Sequence, residues 1–331
     1  MKHIQYIFIS VIILLCTSCS EKKDQTIILK YIRSAAVSHF SSQQMQHWST
    51  EVEQRTAGRV KIIDASPAPL SAKNPYDSLI AGTTDIAIFC TTDKPDRFPV
   101  TNSIALPFGF ADAKTASAAM RDLVLKYAQE EFSNTTLLTV FTGAPSNFIS
   151  IKPIKYASDL KNISLGIPKE STRKIAKEWG TKPLLTAGAD MTEAMEKGRI
   201  EGVFTSLAAI RENNLAPNCK FITLTNQIVS PFAVVMNQNR FTQLPADIQK
   251  ILQGLFVEQS EWTAEYIDRQ VQESVKWAVT EHNMQIIHPA QRLSTKLNKT
   301  ASNSIGLWAI NESQYGVSTE EILATLQDYI N

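Results

Sequence analysis

The chain has no P-loop, no GxGxxG and no GxSxG, so a glycine-rich phosphate cradle, a dinucleotide turn and a hydrolase nucleophile elbow are all missing. Histidine is scarce. The five are His3, His39, His47, His282 and His288, and none stands at a metal-ligand spacing such as HExxH. His39 and His47 fall two turns apart on one predicted helix and read as exposed polar positions. Asp85, Asp190 and Glu193 stand at loops or helix starts, where carboxylates cap backbone N–H groups, so no acid and base pair is assembled. With 33 basic and 32 acidic side chains, the balance lacks the positive excess that nucleic-acid binding calls for. No repeat of solenoid period and no low-complexity tract is present. The expected protein is a binder and not an enzyme, with no cofactor, no metal and no nucleic-acid partner.

Long apolar runs are missing too: crossing a bilayer takes about 20 residues, and the stretch at 4–15 has twelve. Lys2 and His3 precede it, and the small pair Thr17-Ser18 follows it, directly before Cys19. This is the pattern of a lipoprotein signal peptide over 1–18, with lipidation (palmitate-type acylation) of Cys19 and a hydrophilic tether over 19–25. The competing reading is an ordinary secretory leader with an incidental Cys19; Cys16, after two leucines, does not fit the cleavage pattern. The expected location is periplasmic, held to a membrane by lipid only. Cys90 and Cys219 then remain, 129 positions apart. They form either one disulfide or two buried free thiols, and the second reading is favoured.

About 310 mature residues are enough for two lobes with a large core. A strand is predicted at 25–31, a helix at 38–58 through Met45, Trp48, Val52 and Thr56, and a strand at 59–63 stopped by Pro67-Ala68-Pro69. A short helix at 76–81 and a strand at 86–89 follow. The order restarts with strands at 163–167, 183–185 and 201–204 around helices at 170–179 and 191–197. Such alternation implies mainly parallel sheets with helices on their faces, and two such units in series predict a ligand cleft between lobes. A nearly unbroken helical pattern from 245 to 283, far beyond the usual length of about 11–12 residues, is expected to brace both lobes. Lobe I then takes 26–147 with part of 230–275, and lobe II takes 148–229 with C-terminal segments of 276–331.

LIAGTTDIAIF at 79–89, IALPFGF at 104–110, KPIKYASDLKNISLGIP at 152–168, MTEAMEKGRIEGV at 191–203 and RFTQLPADIQKIL at 240–252 stand in a distinctive order and spacing. In both they resemble the solute receptors of TRAP transporters, the DctP-type periplasmic binding proteins of tripartite ATP-independent transport systems. EVEQRTAGRVKI at 51–62 is similar to that family's first helix and turn. The resemblance covers essentially the whole mature chain. It implies an α/β, two-lobed periplasmic-binding-protein (Venus flytrap) fold that closes on a small solute and delivers it to membrane permease subunits. It implies neither catalysis nor a cofactor.

In typical members of that family an arginine just before the terminal Val-Pro of a second-lobe strand pairs with the ligand's carboxylate as a planar clamp. Gly166 occupies that place here, GAPSNFISI at 143–151 brings no second base, and Val203-Phe204-Thr205-Ser206 replaces an acid-amide-proline run. A carboxylate buried without its clamp would cost on the order of several kcal/mol. The expected ligand is therefore an uncharged or largely apolar solute; the alternative is that Arg33 or Arg173 took over as the base. Strand ends and facing loops supply the candidate ligand-binding set: Tyr31, Arg33, Phe89, Phe108, Phe148, Gly166, Arg173, Phe204, Thr205 and Phe232, with Cys90 beside Phe89. For each aromatic the competing reading is core packing. Asp159 and Lys161 are expected to shape a turn. The competing function is a hydrophobe- or lipid-binding lipoprotein that works with other protein partners.

Overall fold

The computed structural model describes residues 26–33, 39–66, 74–313 and 318–330. The expected signal peptide and tether (1–25, with Cys16 and Cys19), Ser38 and the corner at 67–69 lie outside the described residues. Among the described residues no helix is long and apolar enough to cross a membrane.

The first α/β unit comprises β1 (Ile27–Ile32), α1 (Phe40–Arg55), β2 (Val60–Asp64), α2 (Pro75–Ile80), β3 (Ile86–Cys90), α3 (Ala113–Tyr127) and β4 (Thr135–Thr142). The second comprises β5 (Ser146–Ser150), β6 (Ser164–Ile167), α4 (Arg173–Glu178), β7 (Lys182–Leu185), α5 (Met191–Glu196), β8 (Gly202–Ser206), α6 (Ala209–Glu212) and β9 (Phe221–Thr223). The chain then returns through β10 (Pro231–Asn237), α7 (Gln238–Thr242), α8 (Ala246–Gly254) and α9 (Phe256–His282), and ends with β11 (Gln285–Ile287), α10 (Gln291–Ser313) and α11 (Thr319–Gln327). Local chemistry sets several boundaries. The Asn74 side chain accepts from the Tyr76 N–H and Pro75 opens α2, where a missing donor does no harm. Asn283 ends α9 in the left-handed region at φ 52°, a conformation asparagine tolerates better than most residues.

Two sheets make the two lobes. The first has the order β2-β1-β3-β10-β4 and the second β11-β9-β5-β8-β6-β7. The sheets are mainly parallel, as expected, with one reversed strand in each that the sequence did not predict. β10 runs antiparallel to both β3 and β4, and β5 runs antiparallel to both β8 and β9. The cause is the chain path: β4 leaves lobe I and re-enters as β5 after 143–145, and β9 leaves lobe II to return as β10 after 224–230. The returning chain inserts mid-sheet in the opposite direction.

Period-2 alternation divides each sheet's side chains between two cores. In lobe II, Phe148 and Phe204 join Leu165 and Trp179 on one face, while their neighbours Ile149 and Val203 join Met191 and Ile210 on the other. Each fully buried Leu, Ile or Phe contributes about 1.5–3 kcal/mol. Cys90 and Cys219 are both free and buried, one in each lobe.

The predicted brace is two helices. α8 and α9 meet at Leu255, which caps both; Gly254 is a weak point in helix propensity, and the Leu255 side chain turns into the lobe I core. α9 alone has 27 residues, about 40 Å at 1.5 Å per residue. Its Ala264 and Ile267 pack in lobe I and its Ala278 in lobe II. The assignment of the C-terminal segments to lobe II is revised as well. α10 starts in lobe II with Leu293 and Leu297, but its Trp308 packs on lobe I, as do Ile322 and Leu326 of α11.

Candidate functional site

A cavity of about 210 Å³ lies between the lobes. Its lobe II wall comes from the carboxyl ends of parallel strands, where ligands of open α/β sheets bind: Pro168 and Lys169 just past β6, and Thr205 and Ser206 at the end of β8. Its lobe I wall is aromatic. Phe40 opens α1 and meets the Phe232 ring edge-on at 5.1 Å, Phe232 stacks on Phe141 at 5.7 Å, and the His39 ring sits 4.1 Å from Phe40. α9 closes a side with Ile267 and Gln270.

Charge in the cavity is scarce and arranged. His39 is the N-cap of α1; its Nδ1 accepts from the Ser41 N–H at 3.3 Å and lies 2.7 Å from Ser41 Oγ. Burial, helped by the nearby Lys169 charge, lowers its pKa to about 4, so the imidazole is neutral at pH 7. Lys169 reaches across the cleft to Asp93, at 2.8 and 3.0 Å to the two carboxylate oxygens. Burial pulls its ammonium down, but Cys90 and Asp93 outweigh it and hold the group above its ordinary value. Glu212, which solvent still reaches, is set among protein atoms on most sides, and that burial pushes its carboxyl up to about 7. Among the described lining residues there is no arginine.

Of the sequence-predicted ligand residues, Thr205 and Phe232 line this cavity and the other eight do not. Tyr31, Phe89, Phe148 and Phe204 belong to the cores. Tyr31 is further tied to Asp64, and burial together with that carboxylate raises its hydroxyl to about 12. Phe108 packs against the lobe I core. Arg33 donates to Asp64 at 2.8 Å. Arg173 is paired with Glu170 on the surface and donates to the Pro183 carbonyl at 3.0 Å. Gly166 points inward: a β carbon there would come within 2.9 Å of Ile200 Cδ1 and 3.0 Å of Val203 Cγ1, so an arginine would start inside the lobe II core.

The reading of His39 and His47 as exposed polar residues is also corrected. His39 faces the cavity, and His47 stacks on Trp262 with centroids 3.9 Å apart. Asp85 accepts from the Lys30 N–H at 2.8 Å, Asp159 accepts from the Lys155 and Tyr156 N–H groups at 2.9 and 2.8 Å, and Glu193 pairs with Lys197, whereas Asp190 makes no side-chain cap bond. None of these four lines the cavity. The cleft residues that sequence reasoning missed are chiefly His39, Phe40, Lys169 and Glu212. The rule that ligands sit beyond strand carboxyl ends points to Lys169, which follows β6 and Pro168 directly. A larger groove of about 490 Å³ opens beside the cavity; there Lys114 pairs with Glu265 at 2.9 Å, Asp268 accepts from the Ala113 and Lys114 N–H groups, and Arg269 lies over the Tyr266 ring at 5.5 Å. No cluster of three His, Cys, Asp or Glu able to hold a metal ion occurs among the described residues.

The sequence matches the family described as bacterial extracellular solute-binding protein, family 7 (DctP), over residues 33–304. A TRAP periplasmic solute binding protein from Desulfovibrio salexigens, in an open complex with the C-terminus of a symmetry mate in its ligand-binding site, superposes with a TM-score of 0.86. It is 31% identical, and the match covers 92% of this chain and 95% of that one. A TRAP solute binding protein from Rhodoferax ferrireducens in complex with copurified benzoate shares the fold, with a TM-score of 0.82, 22% identity and coverage of 92% and 98%. A curated solute-binding protein of Verminephrobacter eiseniae is 25% identical over 210 residues, which span 61% of this chain and 62% of that relative's length. Two lobes, repeated chain crossings and a cavity at the strand ends agree with the sequence match: the chain belongs to family 7 of the bacterial extracellular solute-binding proteins, the solute receptors of TRAP transporters.

Proposed function

We propose that this protein is a periplasmic, lipid-anchored receptor that closes on a small uncharged, ring-bearing solute and hands it to the permease subunits of a TRAP importer. The observation that carries the uncharged-solute reading is the lining. It has no arginine among its described residues, and its lysine is already held by Asp93. His39 is neutral, and the ionised form of Glu212 would repel a second carboxylate. The wall of His39, Phe40 and Phe232 suits a flat ring.

Size supports the same class. A dry apolar cavity of about 150 Å³ takes up benzene, and drug-sized sites begin near about 300 Å³; at about 210 Å³ this one suits a single substituted ring. An acyl chain would need a longer channel, which weighs against the lipid-handling alternative. Closure fits the role of a receptor, because solute binding between lobes selects the closed arrangement that a permease can read. The anchor rests on Thr17, Ser18 and Cys19 in the leader motif. A second reading, a carboxylic acid held by Lys169, is favoured by the benzoate bound to the Rhodoferax protein. Native mass spectrometry of the leaderless protein as purified, followed by organic extraction, separates the two. A neutral small molecule is the expected passenger, and a stoichiometric carboxylic acid would overturn the uncharged-solute reading.

A further inference from the structure

We propose that Asp93 sets the specificity of the cleft: it is a built-in carboxylate that occupies the cleft's lysine and so excludes anionic solutes. The inference deepens the receptor reading above and rests on it. Lys169 lines the cavity and Asp93 does not, yet both Asp93 oxygens lie within 3.0 Å of Nζ. The two residues come from different lobes, Asp93 from the 3-10 turn Thr91–Asp93 after β3 and Lys169 from the chain just beyond β6.

The carboxylate is placed by rigid neighbours. Thr91, fully buried, donates to Asn102 Oδ1 at 2.6 Å, and the Lys94 N–H closes the turn on the Thr91 carbonyl at 3.0 Å. Lys94, the nearest cation in sequence, is engaged by Asp77. An anionic solute that approached Lys169 would have to displace Asp93. That would break an ion pair that ties the lobes together, so binding would be set against closure. A neutral solute leaves the pair intact. The Asp93 side chain keeps 33% of its surface exposed, so a displaced carboxylate is rehydrated; the discrimination comes from the bridge between lobes, which an anion at Lys169 must break and a neutral solute need not.

The test compares benzamide with benzoate, near-isosteric probes that differ in charge, by calorimetry on the ligand-stripped leaderless protein and its Asp93→Asn and Asp93→Ser variants. At about pH 6 Glu212 is mostly protonated and His39 neutral, so Lys169 and Asp93 dominate the contrast. Both variants are expected to raise the ratio of benzoate to benzamide affinity at least about tenfold, and adding Lys169→Gln should cancel the gain. A looser cleft would weaken both probes and leave the ratio alone. Acetate and acetamide, read by NMR line broadening, form a second pair that does not depend on the shape of the ring site.

An unchanged ratio for both pairs, or no carboxylate binding to either variant, overturns the role of Asp93 while the receptor reading stands. A parent that already prefers benzoate, with variants that prefer it further, overturns the uncharged-solute reading and keeps Asp93 as the discriminator. A parent that prefers benzoate with no gain in the variants overturns both.

Discussion

Glu212 brings a titrating carboxyl to the cavity wall, and burial holds it at about 7 against about 4.3 for an unperturbed glutamate. A carboxyl raised on folding contributes stability that is fully present below the unfolded value and is lost as pH rises through the folded one. Glu212→Gln removes that dependence. The variant should gain on the parent between about pH 4.3 and about pH 7, and solvent access to Glu212 keeps the gain below what full burial would give. Thermal melts of both proteins at either end of that window check it; an equal gap at both ends would mean that burial does not act on this charge. The same scale shows what could be read in the sequence. Phe204 and Thr205 were both legible as strand-end residues, but alternation sends one to the core and the other to the cleft, and a one-residue difference decides which. Gly166 was legible as a missing arginine, whereas its inward direction depends on Ile200 and Val203, which only the packed sheet brings beside it.

At the scale of elements, the two α/β units were readable because local periodicity carries them. The direction of β5 and β10 was not, because it follows from where the chain crosses between lobes. α11 shows the same limit. Its Ile322 and Leu326, one turn apart, mark an amphipathic helix, but nothing local says that their partners lie about two hundred residues upstream. Tyr127 Oη lies 3.2 Å from Thr325 Oγ1, and Tyr329 donates to Asp122 at 2.9 Å, so the C-terminal end of the helix is pinned to α3. Leu326 is fully buried. Leu326→Ala should cost about 2–5 kcal/mol, seen in urea melts as a lower midpoint with an unchanged slope. A loss under about 0.5 kcal/mol, the range of a surface substitution, would place α11 outside the lobe I core.

Across the whole molecule, four connections join the lobes among the described residues: 143–145, 224–230, α9 and α10, which starts on lobe II and ends on lobe I. The first two are short and non-helical and can act as hinges, whereas a helix resists bending unless a hydrogen bond is lost. Val271 stands where α9 passes from one lobe to the other and packs against core clusters of both, one turn beyond Ile267 and next to Gln270, which line the cavity. The brace therefore couples lobe position to the site it borders. Proline at 271 would remove one helical hydrogen bond, clash with the Ile267 carbonyl four residues back and cost about 3 kcal/mol or more. If α9 transmits cooperativity, the parent melts in one calorimetric transition and Val271→Pro melts in two, with weaker solute binding because Ile267 and Gln270 shift. A single transition that only moves to lower temperature would assign the coupling to the two non-helical crossings, to α10 and to the Lys169 and Asp93 contact. The helix would then be a passive spacer, and closure would be governed at the strand ends, where the solute itself sits.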